Sequence, residues 1–351
     1  MRRLILASLL LLTASSIGGA SRIGAPAAGG VAVVDRSADR RVDISIDGQP
    51  FTSYIYPQSL EKPVLFPIRS AAGLVVTRGY PLEPRPGERA DHPHHIGHWF
   101  NYGDVNGYDF WGNSPETPAH LKPKTGVIVQ KSITRASGGE KQGELAVAAD
   151  WVIPDGSVLL HERTRFIFSG GPGTRIIDRT TTWTAADKAI TFNDTKEGAF
   201  GIRVARSLDS PTQQRDAFIE ASGQRGTPRP DDNAGVTGHY IGSDGKTGDD
   251  VWGTSGPWMG LTGNVDGKPV TIAILNHPSS DNYPTYWHAR GYGLFAANPI
   301  GRHAYDPKQP ERLLKLEPGK SATFRFRILI RDAHLGRDEL QQEQLKFTKE
   351  K

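Results

Sequence analysis

The chain has no cysteine among its 351 residues. That excludes disulfides and leaves no cysteine for a lipid anchor, so stability has to come from packing. Long apolar runs are also missing. After the first twenty residues no stretch approaches the roughly 20 apolar residues that a membrane-spanning helix needs. A strong excess of one charge is the third absence: there are 42 basic and 38 acidic residues, formally +4. Without Arg2 and Arg3 the count is 40 against 38, or +2, too balanced to argue for a nucleic-acid partner.

The first residues do hold an apolar run. "MRRLILASLLLLTASSIGGA" follows two arginines with Leu4 to Leu12 and places small residues at Gly18 and Ala20, the pattern of a cleaved export signal. The run is too short to span a bilayer. Residues 1–20 are therefore read as a signal peptide and the mature protein as exported, periplasmic or secreted. Residues 21–39 read as a linker, 40–332 as a single domain and 333–351 as a helical tail.

Within 40–332 the apolar period is that of strands. "FRFRILIR" at 324–331 alternates Phe324, Phe326, Ile328 and Ile330 with Arg325, Arg327 and Arg331. "RTRFIFSG" (163–170) and "RIIDRTTTW" (175–183) are β-branched and aromatic, and "GGPG" at 170–173 supplies a hairpin turn. Further strands are expected near 42–46, 64–68, 125–134, 144–153, 199–206 and 269–275. Only 337–347 reads as a helix. The fold expected is all-β, a large antiparallel β-sandwich with a short C-terminal helix. Residues 222–250 lack periodicity and read as a surface loop or a lid.

The densest chemistry lies in "RADHPHHIGHWFNYGDVNGYDFWGN" (89–113), with four of the chain's eleven histidines between His92 and His98. Proline and glycines break it up, so it reads as a loop-rich segment held over a sheet. Turn-capping alone explains isolated Asp and His, but ionisable groups this dense need partners and more often mark a site. Two other segments have the same character. "NDTKEGAFGIRVA" (193–205) brings Asp194, Lys196, Glu197 and Arg203. "ILNHPSSDNYPTYWHARGYGLFAANP" (274–299) brings His277, Trp287, His288, Arg290 and Asn298. On a strand at 159–166, His161, Glu162 and Arg163 fit paired structural charges as well as catalysis.

These three long segments, in this order, resemble the bacterial family carrying the domain of unknown function DUF6807, often labelled PmoA-like or methane oxygenase-like. The resemblance covers roughly 40–332. The oxygenase label conflicts with the absence of apolar spans. Many members carry arginine after the double histidine, where this chain has Ile96. The resemblance implies a galactose mutarotase-like supersandwich and a link to bacterial carbohydrate catabolism.

Mutarotase-like sandwiches act on sugar hydroxyls with a histidine and a carboxylate, since imidazole exchanges a proton near neutrality. On that implication His95, His277 and His288 are acid or base candidates, with Glu197 or Asp91 as the carboxylate. Trp99, Trp111 and Trp287 would stack on a sugar ring, with His94 and Asn298 as further contacts. Lys196, Arg203 and Arg290 would neutralise a carboxylate or an enolate. The expected activity is lyase- or epimerase-like chemistry on a saccharide or glycoside. One alternative is a metal-dependent glycoside hydrolase, with His92, His94 and His95 plus Asp91 or Asp109 on a divalent ion. Another is a noncatalytic glycan-binding module. If one site exists, His94, His95, Glu197, Arg203, His277 and His288 should converge on one concave sheet face.

Overall fold

Alternation sets the architecture. In Ser321–Arg331, Phe324, Phe326, Ile328 and Ile330 are all buried, and they face a second sheet. The computed structural model describes residues 29–350; the expected export signal at 1–20 lies outside them. An eight-stranded antiparallel sheet runs in the order His239–Gly242, Trp258–Val265, Lys268–Asn276, Ser321–Arg331, Thr174–Ala185, Val158–Gly171, Gln142–Val152 and Val127–Ser137. Opposite lies a nine-stranded sheet in the order Val31–Arg36, Arg41–Ile46, Gln49–Ile55, Val64–Leu65, His98–Tyr102, Gly198–Arg203, Leu294–Asn298, Thr285–Arg290 and Ser255–Gly256. The protein is an all-β antiparallel sandwich with one short C-terminal helix.

Aromatic rings from both sheets interleave between them. Phe200 stacks on Phe326 at 4.7 Å, and Phe100 packs on Trp183 at 4.8 Å and Phe324 at 5.7 Å. One ion pair is buried in this core. Glu162 accepts from the indoles of Trp151 and Trp183, from the Thr164 hydroxyl and from the Arg179 guanidinium, so every lone pair facing the interior has a donor. Its strand neighbours His161 and Arg163 point to solvent. The helix Arg337–Phe347 covers the other face of the eight-stranded sheet, burying Leu340 and Phe347 against Trp258, Leu275 and Leu329.

Three local expectations change. The stretch 21–39, read as a linker, contains the edge strand Val31–Arg36, whose Val31 and Val33 are buried in the core. The histidine-rich segment, read as a loop-rich stretch held over a sheet, itself contributes the central strand His98–Tyr102 with all five residues buried. Gly97 makes that entry possible: its φ is +52°, and a Cβ there would lie 2.1 Å from the Leu65 carbonyl oxygen. The excursion at 222–250, read as a surface loop or a lid, is a strap fastened at its middle. Asp231 on it is buried and pairs with both Arg89 and Arg206. Among the described residues no helix is long and apolar enough to cross a membrane.

Burial sorts the side chains by cost of removal. Phe326→Ala is expected to lower stability by about 3–5 kcal/mol through the cavity it leaves. Leu345→Ala, on the exposed side of the helix at 43% exposure, should change it by no more than about 0.5 kcal/mol. Denaturant titration of both variants checks the contrast.

Candidate active site

Side chains that alternate with the core aromatics leave the nine-stranded sheet on its other face. Across four neighbouring strands the register aligns Trp99, Gly201, Ala296 and His288 in one row. The two middle residues are small, and a Cβ on Gly201 would lie 2.5 Å from the Trp99 ring. The row therefore forms a buried floor, closely packed between an indole and an imidazole.

The loop at 89–95 folds down over one end of this floor, and a single guanidinium holds it. Arg78 donates to the carbonyls of Arg89 (3.1 Å), Asp91 (2.9 Å), His92 (3.0 Å) and His95 (3.1 Å), and pairs with the Asp91 carboxylate. Arg203 donates to the same carboxylate at 2.6 Å. Burial works against a charge on Asp91, but Arg203, His92 and Arg78 outweigh it and hold the carboxyl well below its usual range. Asp91 in turn receives His92 Nδ1 at 2.6 Å. His92 has φ +41°, a backbone region a non-glycine residue occupies only when its surroundings hold it there.

Ring stacking carries this order onto the floor. Tyr292, His92, His95 and Trp99 form a column of near-parallel rings, with successive centroids 5.1, 4.9 and 5.0 Å apart. Trp111 stands edge-on to His95 at 5.4 Å and nearly parallel to His288 at 6.4 Å. Asp109 fixes Trp111 by accepting from the backbone N–H groups of Trp111 and Gly112. Glu197 packs against Gly103, where any Cβ would meet its own at 2.6 Å. Burial raises the Glu197 carboxyl above the ordinary glutamate value, against the pull of Lys196, whose Nζ is 3.7 Å away.

The histidines differ in chemical state. His95 is 1% exposed, and burial, then the charges of His94, His92 and the two arginines, keeps it neutral. Arg203 Nη1 lies 3.3 Å from His95 Nδ1. A guanidinium only donates, so Nδ1 accepts and the ring proton sits on Nε2, a buried donor with no partner. His288, pushed down to about 3 by burial first and then by Arg290 and Lys196, keeps a buried Nδ1 with no partner. Burial likewise lowers His94, with the Lys62 charge the next cause. His92 is different: with Nδ1 committed to Asp91 and its side chain 37% exposed, it presents Nε2 to solvent. It lines an open cavity of about 430 Å³ with Tyr292, Arg290, Lys196, Thr212, Gln214, Asp249 and Trp252.

The structure thus brings together His94, His95, Asp91, Glu197, Arg203, His288, Trp99, Trp111, Lys196 and Arg290. It does not bring His277 with them. That ring packs on Phe347 of the C-terminal helix at 5.1 Å and contacts Ser279 and Arg325, on the far sheet. Trp287 points into the core between the sheets. Asn298 binds backbone: its amide donates to the Thr195 carbonyl and its oxygen accepts from Ile300 and Gly301. Asp194 does the same work, accepting backbone N–H groups from Arg302, His303, Ala304 and Arg312. His92, His94 and His95 do not aim at one point, since His92 and His95 stack face to face and each Nδ1 is taken. Among the described residues no group of three or more His, Asp or Glu side chains is placed to hold a metal ion. Arg78 and Tyr292 were not singled out from the sequence; Tyr292 lay in the third motif, two residues beyond Arg290, while Arg78 lay outside all three.

The profile of a "Family of unknown function (DUF6807)" matches residues 41–344. No curated protein matches the chain. Among solved structures, an α-galactosidase from Geobacillus stearothermophilus is 13% identical with a TM-score of 0.36, over 86% of this chain and 41% of that one. This chain therefore spans well under half the length of that enzyme. A galactose mutarotase-like protein from Clostridium acetobutylicum (8% identity, TM-score 0.37) covers 86% of this chain and 98% of its own. For a putative aldose 1-epimerase from Escherichia coli K12 the values are 12%, 0.30, 86% and 98%.

Removing the Asp91 charge strands two buried guanidiniums. Asp91→Asn should cost about 3–5 kcal/mol at neutral pH. Because the native carboxyl is lowered, its contribution is fully present above the unfolded value of 3.8 and is lost as pH falls through the native value. Chemical denaturation of wild type and variant should therefore differ most at neutral pH and converge in acid.

Proposed function

Since the chain belongs to the DUF6807 family, whose function is unknown, we propose from the geometry of its own residues that it is a carbohydrate-active enzyme working by His/carboxylate acid–base chemistry. The lyase- or epimerase-like form of that chemistry fits best. One observation carries the reading: an Asp91–His92 pair in which a buried, doubly paired carboxylate fixes the imidazole and leaves its other nitrogen on a cavity. In that arrangement His92 Nε2 holds a lone pair and acts as base, while Asp91 stabilises the imidazolium that forms. Glu197, raised by burial, supplies a proton to a departing oxygen. Beneath, His95 and His288 each keep one buried nitrogen without a partner, and Trp111, 3% exposed, packs between them as support and not as a stacking face.

This moves the base from His95 and His288, whose free nitrogens are sealed from solvent, to His92. A metal-dependent hydrolase is less well supported, because both Nδ1 atoms of the stacked imidazoles are engaged by Asp91 and Arg203. A noncatalytic glycan-binding module would have no use for the Asp91–His92 pair. We also propose that residues 1–20 direct export to the periplasm or beyond.

The purified protein is to be incubated with a panel of native and 3-keto glycosides, following new reducing ends and ultraviolet absorbance of unsaturated products. Turnover should appear, and His92→Gln and Glu197→Gln should each lower it by about 10²-fold or more with little change in melting temperature. Silence across the panel sinks the enzymatic reading in favour of the binding module; loss of turnover on chelation would favour the metal-dependent hydrolase. For export, N-terminal sequencing of the mature protein should begin after Ala20.

A further inference from the structure

We propose that the saccharide taken by this cleft is a sugar acid, and that Arg290 seats its carboxylate. The inference rests on the reading of the cleft as a saccharide site and adds the charge of the ligand. Arg290 is unlike the other arginines near the site. Arg78, Arg89, Arg203 and Arg206 each pair with at least one carboxylate. The Arg290 guanidinium has no hydrogen bond and no ion pair among the described residues, and its buried Nε has no acceptor. It is nonetheless held in place. The centre of its guanidinium lies 4.9 Å from the centre of the Trp252 ring, a cation–π contact that satisfies none of its N–H donors.

A planar guanidinium seated against an aromatic ring with its N–H donors unpaired calls for a two-point acceptor, and carboxylate is that acceptor. Its neighbours on the cavity agree. Lys196 adds a second cation, while Thr212 and Gln214 add neutral hydrogen-bonding groups suited to hydroxyls. The carboxylate lining the cavity is Asp249, which stays beyond ion-pair distance of Arg290 and lies beside Gly291. Within the cavity Asp249 is thus the group that opposes an incoming anion.

The same seat serves the chemistry assigned to His92. With the carboxylate of a hexuronate on Arg290, the adjacent C5–H is acidified, because the guanidinium neutralises the charge that would oppose carbanion formation. The C5–H bond breaks and its proton passes to His92 Nε2. The electron pair forms the C4–C5 double bond, the C4–O glycosidic bond breaks, and the leaving oxygen takes its proton from Glu197. No oxidant, reductant or second substrate enters the balance.

The test is calorimetric titration of the full chain with glucuronate and, separately, with glucose. Glucuronate should bind about tenfold more tightly or better, with an advantage that falls as salt rises. Arg290→Gln should bring the two affinities together. Asp249→Asn should widen the gap, a gain of function that a folding defect does not mimic. Equal affinities in the wild type, or a gap unchanged in Arg290→Gln and Asp249→Asn, overturn the sugar-acid assignment and leave the saccharide reading standing. Binding of neither sugar overturns the saccharide reading itself.

Discussion

A loop with no regular structure of its own has to send its backbone carbonyls somewhere, and at 89–95 four of them go to one side chain. Arg78 takes up the carbonyls of Arg89, Asp91, His92 and His95, which no strand or helix satisfies. The rest of the site follows from that constraint. With the carbonyls gathered inward, Asp91 lies between Arg78 and Arg203, His92 is turned through a left-handed backbone, and its ring drops onto His95 and Trp99. The order of the exposed imidazole is therefore inherited from buried charge beneath it.

That burial also separates two kinds of histidine that composition alone treats as one. His95 and His288 are neutral because desolvation makes their charged forms expensive, and each keeps one nitrogen without a partner. His92 sits one layer out, where water reaches the ring. Of the three rings, the outer imidazole is the one that water touches, while the inner two are enclosed.

The sheets were legible in the sequence where one face is core and the other is not. The alternation at 324–331 and the β-branched, aromatic run at 175–183 appear as strands Ser321–Arg331 and Thr174–Ala185, and the helix over 337–347 is present with those bounds. His98–Tyr102 escaped because both of its faces are covered, which removes the polar alternation, and because glycines flank it. Of the site, the clustering of His92 to His95 with Arg203 and His288 could be read from three motifs. His277 could not be excluded, since "NHP" at a strand end looks the same whether the strand lies in the near or the far sheet. Arg78 carried no local signal, because its role depends on carbonyls eleven to seventeen residues away.

Thr212 and Gln214 reach the cavity from the segment just ahead of the strap, and Asn233 of the strap holds the Thr212 backbone by two hydrogen bonds, while Asp231 fastens the strap to Arg89 and Arg206 through charge rather than through the aromatic core. Fastening and lining are thus assigned to different residues of two joined segments. Sequence drift at 212–214 can reshape the wall of the cleft while the bolt at 231 keeps the segment in place, and the two sheets need no compensating change. The cleft has in this sense an exchangeable wall on a permanent foundation, an arrangement by which related chains can diverge in ligand while keeping the same Asp91–His92 centre.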